Sequence, residues 1–288
     1  MSDLIAPFAD HRRVYQDFLY VYPVVSRRSR GVSLGINLNP DKICNFDCVY
    51  CEVDRITPAR TNTVDHAILD RELRSLLEIW KSGALFDHAP FNATPPSLRR
   101  LNDIALSGDG EPTSYGRFDE VMELIVRIKV DHALTDAKIV LITDAAGLDR
   151  RAVMAGLALM DRHQGEIWAK LDAGTADYYR RVNRSAIGFD RILKNILLTA
   201  QVRPLFIQTL FLQLNGEAPS PGEIAAYCAR LTDLVREGAK LSGVQIYTVA
   251  RPTPEAWATA LPEPLLQQIA DSVRSATGLP VESFAGNA

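Results

Sequence analysis

Val32-Ser33-Leu34-Gly35-Ile36-Asn37-Leu38 runs on through residues 39–41 into Lys42-Ile43-Cys44-Asn45-Phe46-Asp47-Cys48-Val49-Tyr50-Cys51-Glu52. The first seven residues read as a strand and the remainder as a loop. That loop carries three thiols within eight residues, spaced C-x3-C-x2-C.

Outward from this stretch, strands alternate with helices. A helical pattern spans Ala67 to Trp80, with Ile68, Leu69, Leu73, Leu76, Leu77 and Trp80 at helical spacing. Strand Ile104 to Leu106 follows, then helix Asp119 to Lys129, strand Lys138 to Thr143 and helix Asp149 to Met160. The series continues with strand Glu166 to Leu171, helix Phe189 to Ala200 and strand Pro204 to Leu212. Ser220-Pro221 then opens a helix to Arg236, with serine as cap and proline in the first turn. Strand Val244 to Val249 and helix Pro264 to Ala276 complete the pattern. Six βα units with near-continuous apolar strands predict an α/β fold with a parallel sheet covered on both faces. The expected form is a partial (β/α)6 TIM-like barrel, and a doubly wound sheet is the competing architecture. In both, the chemistry sits at the carboxyl ends of the strands. The reading divides the chain into an N-terminal extension (1–30), a core barrel (31–252) and a C-terminal helical segment (253–288).

The chain has 288 residues and a formal net charge of -3. That balance argues against a protein built chiefly to coat nucleic acid. No apolar run approaches the ~20 residues that span a bilayer, and residues 1–16 lack the apolar core of a targeting signal. Three of the four cysteines are clustered, which reads as metal or redox ligands in a reducing cytoplasm rather than a disulfide framework.

Thiolates suit iron–sulfur clusters, zinc or copper(I). A 4Fe–4S cube usually takes four cysteines. With three local thiols, one iron stays open and can chelate the amino and carboxylate groups of a methionine moiety. Structural zinc prefers four ligands, typically in two separated pairs. A zinc site or a buried group of cysteines remains the alternative at this point.

Cys44, Cys48 and Cys51, with Tyr50 just before the last cysteine, resemble the signature of the radical S-adenosylmethionine superfamily. The likeness extends to Arg27–Asn37, Ser107–Thr113, Lys170–Asp172 and Tyr247–Pro252. It covers roughly residues 23–252 and points to a branch of uncharacterised iron–sulfur oxidoreductases related to the wyosine-synthesis enzymes of transfer RNA. The resemblance implies a partial barrel of the radical S-adenosylmethionine type. It also implies that Cys44, Cys48 and Cys51 hold a 4Fe–4S cluster and that S-adenosylmethionine binds beside it. An external one-electron donor of flavodoxin or ferredoxin type would drive cleavage to a 5′-deoxyadenosyl radical. That radical would abstract hydrogen from a small molecule or an RNA.

Ser107-Gly108-Asp109-Gly110-Glu111 follows the second strand, and its glycines permit a sharp turn and close approach to a ligand. By resemblance Gly108, Asp109, Gly110 and Glu111 form the cofactor turn, and Tyr50 belongs to the same pocket. A plain βα turn is the structural alternative. Lys170 and Asp172 share one side of a strand end. Asp172 could bond ribose hydroxyls, or the two could form only a local ion pair. Asp144 departs from the Thr-Asn usual in the related pattern.

Arg27, Arg28, Arg30, Arg180, Arg181, Arg184 and Arg251 could form a cationic rim, which keeps an RNA-modifying activity open; solvated surface arginines are the alternative. Tyr15, Phe18, Tyr20 and Tyr22 read as core or packing residues, with a cover over the barrel mouth as the alternative. Cys228 reads as a buried inert thiol, so neither an auxiliary cluster nor the extra cysteines of the wyosine-synthesis enzymes is expected. A non-catalytic iron–sulfur or zinc module is the third reading.

Overall fold

The structure is a computed structural model that describes residues 15–26 and 28–286. Arg27 therefore lies outside the described residues. The chain divides into two compact units. The first holds the described residues up to Cys44, with Arg55–Ile142 and Arg150–Glu166. The second holds Asn45–Asp54, Thr143–Asp149 and the described residues from Ile167 onward.

In the first unit, β1 (Val21–Ser26) pairs antiparallel with β2 (Gly31–Ile36), in register Val21 with Ile36. The sequence reading missed β1. Pro23 cannot donate to a ladder, so it is tolerated only because β1 is an edge strand. β3 (Leu101–Leu106) lies parallel to β2, and β4 (Lys138–Thr143) parallel to β3. Helix α1 (His66–Lys81) connects β2 to β3. Asp65 caps α1 by accepting from the main-chain N–H groups of Ala67 and Ile68. The helix buries Leu69, Leu73, Leu76 and Leu77, the stripe expected from the spacing. Its buried Glu72 accepts from the N–H groups of Leu19, Tyr20 and Val21 at 2.7, 2.9 and 3.2 Å, which anchors the entry to β1. Tyr20 and Tyr22 are buried packing residues, as expected. Helices α2 (Phe118–Asp131) and α3 (Arg151–Met160) complete the unit.

In the second unit, β5 (Gly165–Lys170), whose first two residues belong to the first unit, leads through α4 (Ala176–Val182) and α5 (Phe189–Val202) to β6 (Leu205–Leu210). β5, β6 and β8 (Leu241–Tyr247) are parallel neighbours. The expected single strand from Pro204 to Leu212 ends at Leu210. Past it, β7 (Leu212–Leu214) pairs antiparallel with β9 (Ala258–Ala260). Helix α6 (Pro221–Arg236) starts on Ser220, whose hydroxyl accepts from Glu223 N–H. Helix α7 (Glu263–Thr277) leads to β10 (Val281–Phe284), parallel to β8. The segment 253–288 thus contains two strands as well as its helix, each too short to show periodicity. Parallel strands joined by helices give the α/β class expected. Among the described residues no helix is long and apolar enough to cross a membrane.

One buried carboxyl marks this core. Asp103 on β3 is 3% exposed and accepts from the Ser33 hydroxyl on β2. Burial raises its carboxyl to about 6, against the pull of the Ser33 hydrogen bond. An unfolded aspartate titrates near ~3.9. Between those values the fold holds the extra proton, so stability declines as pH rises through this window. Asp103→Asn keeps an acceptor for Ser33 and removes the charge. Thermal unfolding should show it more stable than wild type at pH 7.5, by on the order of 2–3 kcal/mol. The difference should close near pH 4, where both side chains are neutral.

Candidate functional site

In the first unit, the end of β2 meets the glycine turn after β3. Asn37 and Asp109 clamp each other: Asn37 Nδ2 donates to Asp109 Oδ2 at 2.7 Å, and Asp109 N–H donates to Asn37 Oδ1 at 3.1 Å. This explains the acid inside the turn. A Cβ at Gly108 would lie 2.3 Å from Asn37 Oδ1, and one at Gly110 would lie 2.0 Å from the main-chain oxygen of Ile43. No side chain fits at either position, so the turn packs directly on the backbone leading to Cys44. Glu111 is buried and caps the 3₁₀ turn Pro112–Ser114; its Oε1 accepts from Thr113 N–H at 3.0 Å and Thr113 Oγ1 at 2.6 Å.

In the second unit, the cysteine loop docks on the end of α4. Asp47 N–H donates to Asn183 O at 3.0 Å and Val49 N–H to Val182 O at 2.9 Å. Phe46 packs edge-on against Tyr179 at 5.6 Å. Lys170 and Asp172 fall on one side, as the alternation predicts, with Nζ 3.6 Å from Oδ2. The Asp172 carboxylate also accepts from Tyr50 OH, from Asn183 Nδ2 at 2.9 Å and from Leu210 N–H at 2.9 Å. Asn183 Nδ2 reaches Cys48 Sγ at 3.4 Å. Lys170 Nζ donates to Tyr247 OH at 2.8 Å and lies 4.9 Å from the centre of the Tyr50 ring.

Burial and the Asp172 charge shape this group. Burial disfavours the Lys170 ammonium, but Asp172 and its neighbours outweigh that and hold it charged above the usual lysine range. Burial first, then Asp172, pushes the Cys48 thiol up to about 12, while Lys170 and the Asn183 amide pull the other way. The same two causes raise Tyr50 well above the phenol range. Metal coordination deprotonates such a thiol outright.

Cys44, Cys48 and Cys51 are half-buried and in no disulfide. Among the described residues no group of three or more His, Cys, Asp or Glu side chains is gathered to hold a metal ion. The donor chemistry nonetheless fits an iron–sulfur cluster: three soft ligands in no disulfide, one with an amide N–H on its sulfur of the kind that tunes such clusters.

Asn39 and Asn183 were missed by the sequence reading, and Asn37 and Tyr247 entered it only within strands and as ends of the segments of likeness. Asn37 and Asn39 carry a signal, two polar residues alternating at a strand end. Asn183 carries none, lying 135 residues from Cys48. Asp144 folds its own loop, its Oδ1 accepting from Ala146 N–H at 2.8 Å. Three of the seven arginines of the expected rim pair with this chain's own carboxylates. Arg180 pairs with Asp177, Arg184 with Asp47 and Glu255, and Arg251 with Glu52. Cys228 is buried on α6, and burial raises its thiol.

No family model matches the chain. A UPF0026 protein of Synechocystis sp. is 31% identical over 202 residues, covering 68% of this chain and 66% of that protein. A protein named GTPase Obg from Brachyspira hyodysenteriae is 27% identical over 177 residues, 61% of this chain. The chain spans only 22% of the length of that second relative. Among solved structures, Streptococcus suis SuiB matches with TM-score 0.58 at 13% identity, over 90% of this chain and 51% of that one. TYW1 matches with TM-score 0.51 at 14% identity, over 86% of this chain and 74% of that one. At these identities the likeness is one of fold.

The Lys170–Asp172 pair yields a stability test. Asp172→Ala leaves the half-buried Lys170 ammonium without its carboxylate and should cost up to about 3 kcal/mol in denaturant unfolding. The double change Lys170→Met with Asp172→Asn should recover most of that loss, because no buried charge is then left alone.

Proposed function

We propose that this chain, whose fold is that of the radical S-adenosylmethionine enzymes, is itself such an enzyme, with a 4Fe–4S cluster held by Cys44, Cys48 and Cys51. The observation that carries the reading is the C-x3-C-x2-C loop, its cysteines in no disulfide, with Cys48 in contact with the Asn183 amide. One structure of the fold neighbour SuiB has S-adenosylmethionine bound, which supports the same cofactor here.

Cys44, Cys48 and Cys51 would hold the cluster, and with S-adenosylmethionine bound beside it the pair would supply reductive cleavage of the sulfonium and hydrogen-atom abstraction from a substrate. The protein's own part is positioning. Asp172, Asn183 and the Asp47 and Val49 main-chain bonds fix the loop that presents Cys48 and Cys51. Gly108 and Gly110 let the turn press on the backbone before Cys44, and Asp109 locks it through Asn37. Glu111, on that turn, supplies a carboxylate for the amino end of the cofactor. Lys170, Asp172 and Tyr50 form the polar floor at the end of β5. The electron comes from an external flavodoxin- or ferredoxin-type donor, and a reducing cytoplasm suits both thiols and cluster.

Anaerobic reconstitution followed by reduction with dithionite tests the reading. Wild-type protein should contain labile iron and sulfide and release 5′-deoxyadenosine from S-adenosylmethionine. Alanine at Cys44, Cys48 or Cys51 should abolish that release and lower the iron content. Glu111→Gln keeps an acceptor for Thr113, so it should retain iron while binding the cofactor less tightly. Stoichiometric zinc with no labile sulfide would instead establish the zinc-module reading.

A further inference from the structure

We propose that Asn39 is a ligand-binding residue, whose side-chain oxygen accepts a hydrogen bond from the ammonium of an amino-acid-type ligand, here the methionine end of S-adenosylmethionine. This deepens the proposed function and rests on it.

Asn39 lies just past β2 and is 6% exposed. Its N–H donates to Asn37 Oδ1 at 3.0 Å, which fixes its backbone beside the glycine turn. The orientation of its amide follows from proton counting. Ser114 Oγ donates its only proton to Glu111 O at 2.7 Å. Toward Asn39, 2.9 Å away, it can therefore only accept. The NH2 of Asn39 must face Ser114, so Oδ1 points elsewhere. That oxygen is buried and has no hydrogen-bond partner. An unmet buried acceptor costs about 1–3 kcal/mol.

The position says what kind of donor would. A Cβ at Gly110 would come 2.7 Å from Asn39 Cβ, so the glycine turn packs directly against Asn39 and the two share one neighbourhood. The turn carries Asp109 and Glu111, an acidic setting that favours a cationic donor over a neutral hydroxyl or amine. One oxygen of Glu111 is committed to Thr113. Asn39 thus adds a neutral acceptor beside a carboxylate that also serves the fold.

The test uses the full chain, anaerobically reconstituted, and equilibrium binding of S-adenosylmethionine and of its desamino analogue, in which hydrogen replaces the ammonium. Wild type should prefer the natural cofactor. Asn39→Leu should weaken its binding at least ~10-fold, equivalent to ~1.4 kcal/mol, and leave the analogue unchanged. Asn39→Asp, which keeps an acceptor, should hold the preference; it carries the test together with Asn39→Ser if the leucine variant loses its cooperative melt. Equal weakening toward both ligands would make Asn39 merely structural, and no weakening would leave only water on the oxygen; either result overturns the assignment. A wild type that binds neither ligand would overturn the proposed function itself.

Discussion

The buried carboxylate of Asp172 is the constraint on which the polar cluster of the second unit depends. It receives a tyrosine hydroxyl, an asparagine amide and a main-chain N–H, and it faces a half-buried ammonium. Each partner comes from a different segment: the cysteine loop, the end of α4, the end of β6 and the end of β5. A buried ion pair is weak evidence for net stability. Its effect here is to fix geometry, because no segment can shift without exposing an unpaired polar group to a low-dielectric interior. Cys48 inherits that order through Asn183, which bonds Asp172 and the Cys48 sulfur from one nitrogen.

The first unit reaches a similar end by other means. There the order comes from close approach and reciprocal hydrogen bonds rather than from charge. Gly108 and Gly110 allow backbone to lie on backbone, and the Asn37–Asp109 clamp holds the contact. Asp109, which the resemblance placed in the cofactor turn, acts in the structure as one half of that clamp.

Much of this was legible in the sequence. Strand and helix order followed from apolar periodicity, and Lys170 and Asp172 share a side because strands alternate. The hairpin strand β1 was hidden by its proline, and β9 and β10 by their brevity. The partners of the cysteine loop were illegible for a different reason. Asn183 is distant in sequence and ordinary in type, and only the fold places it against Cys48. The arginines show the converse. A cationic rim is easy to read from composition, yet Arg184 and Arg251 answer carboxylates of their own chain.

The central claim is that three thiols hold an iron–sulfur cube with one corner open to the cofactor. Electron paramagnetic resonance of the dithionite-reduced protein, recorded before and after S-adenosylmethionine is added, addresses it directly. The account predicts a reduced 4Fe–4S signal whose g-values move when the cofactor ligates the open iron. A cluster signal indifferent to the cofactor, or no iron signal in protein that is otherwise folded, would contradict it.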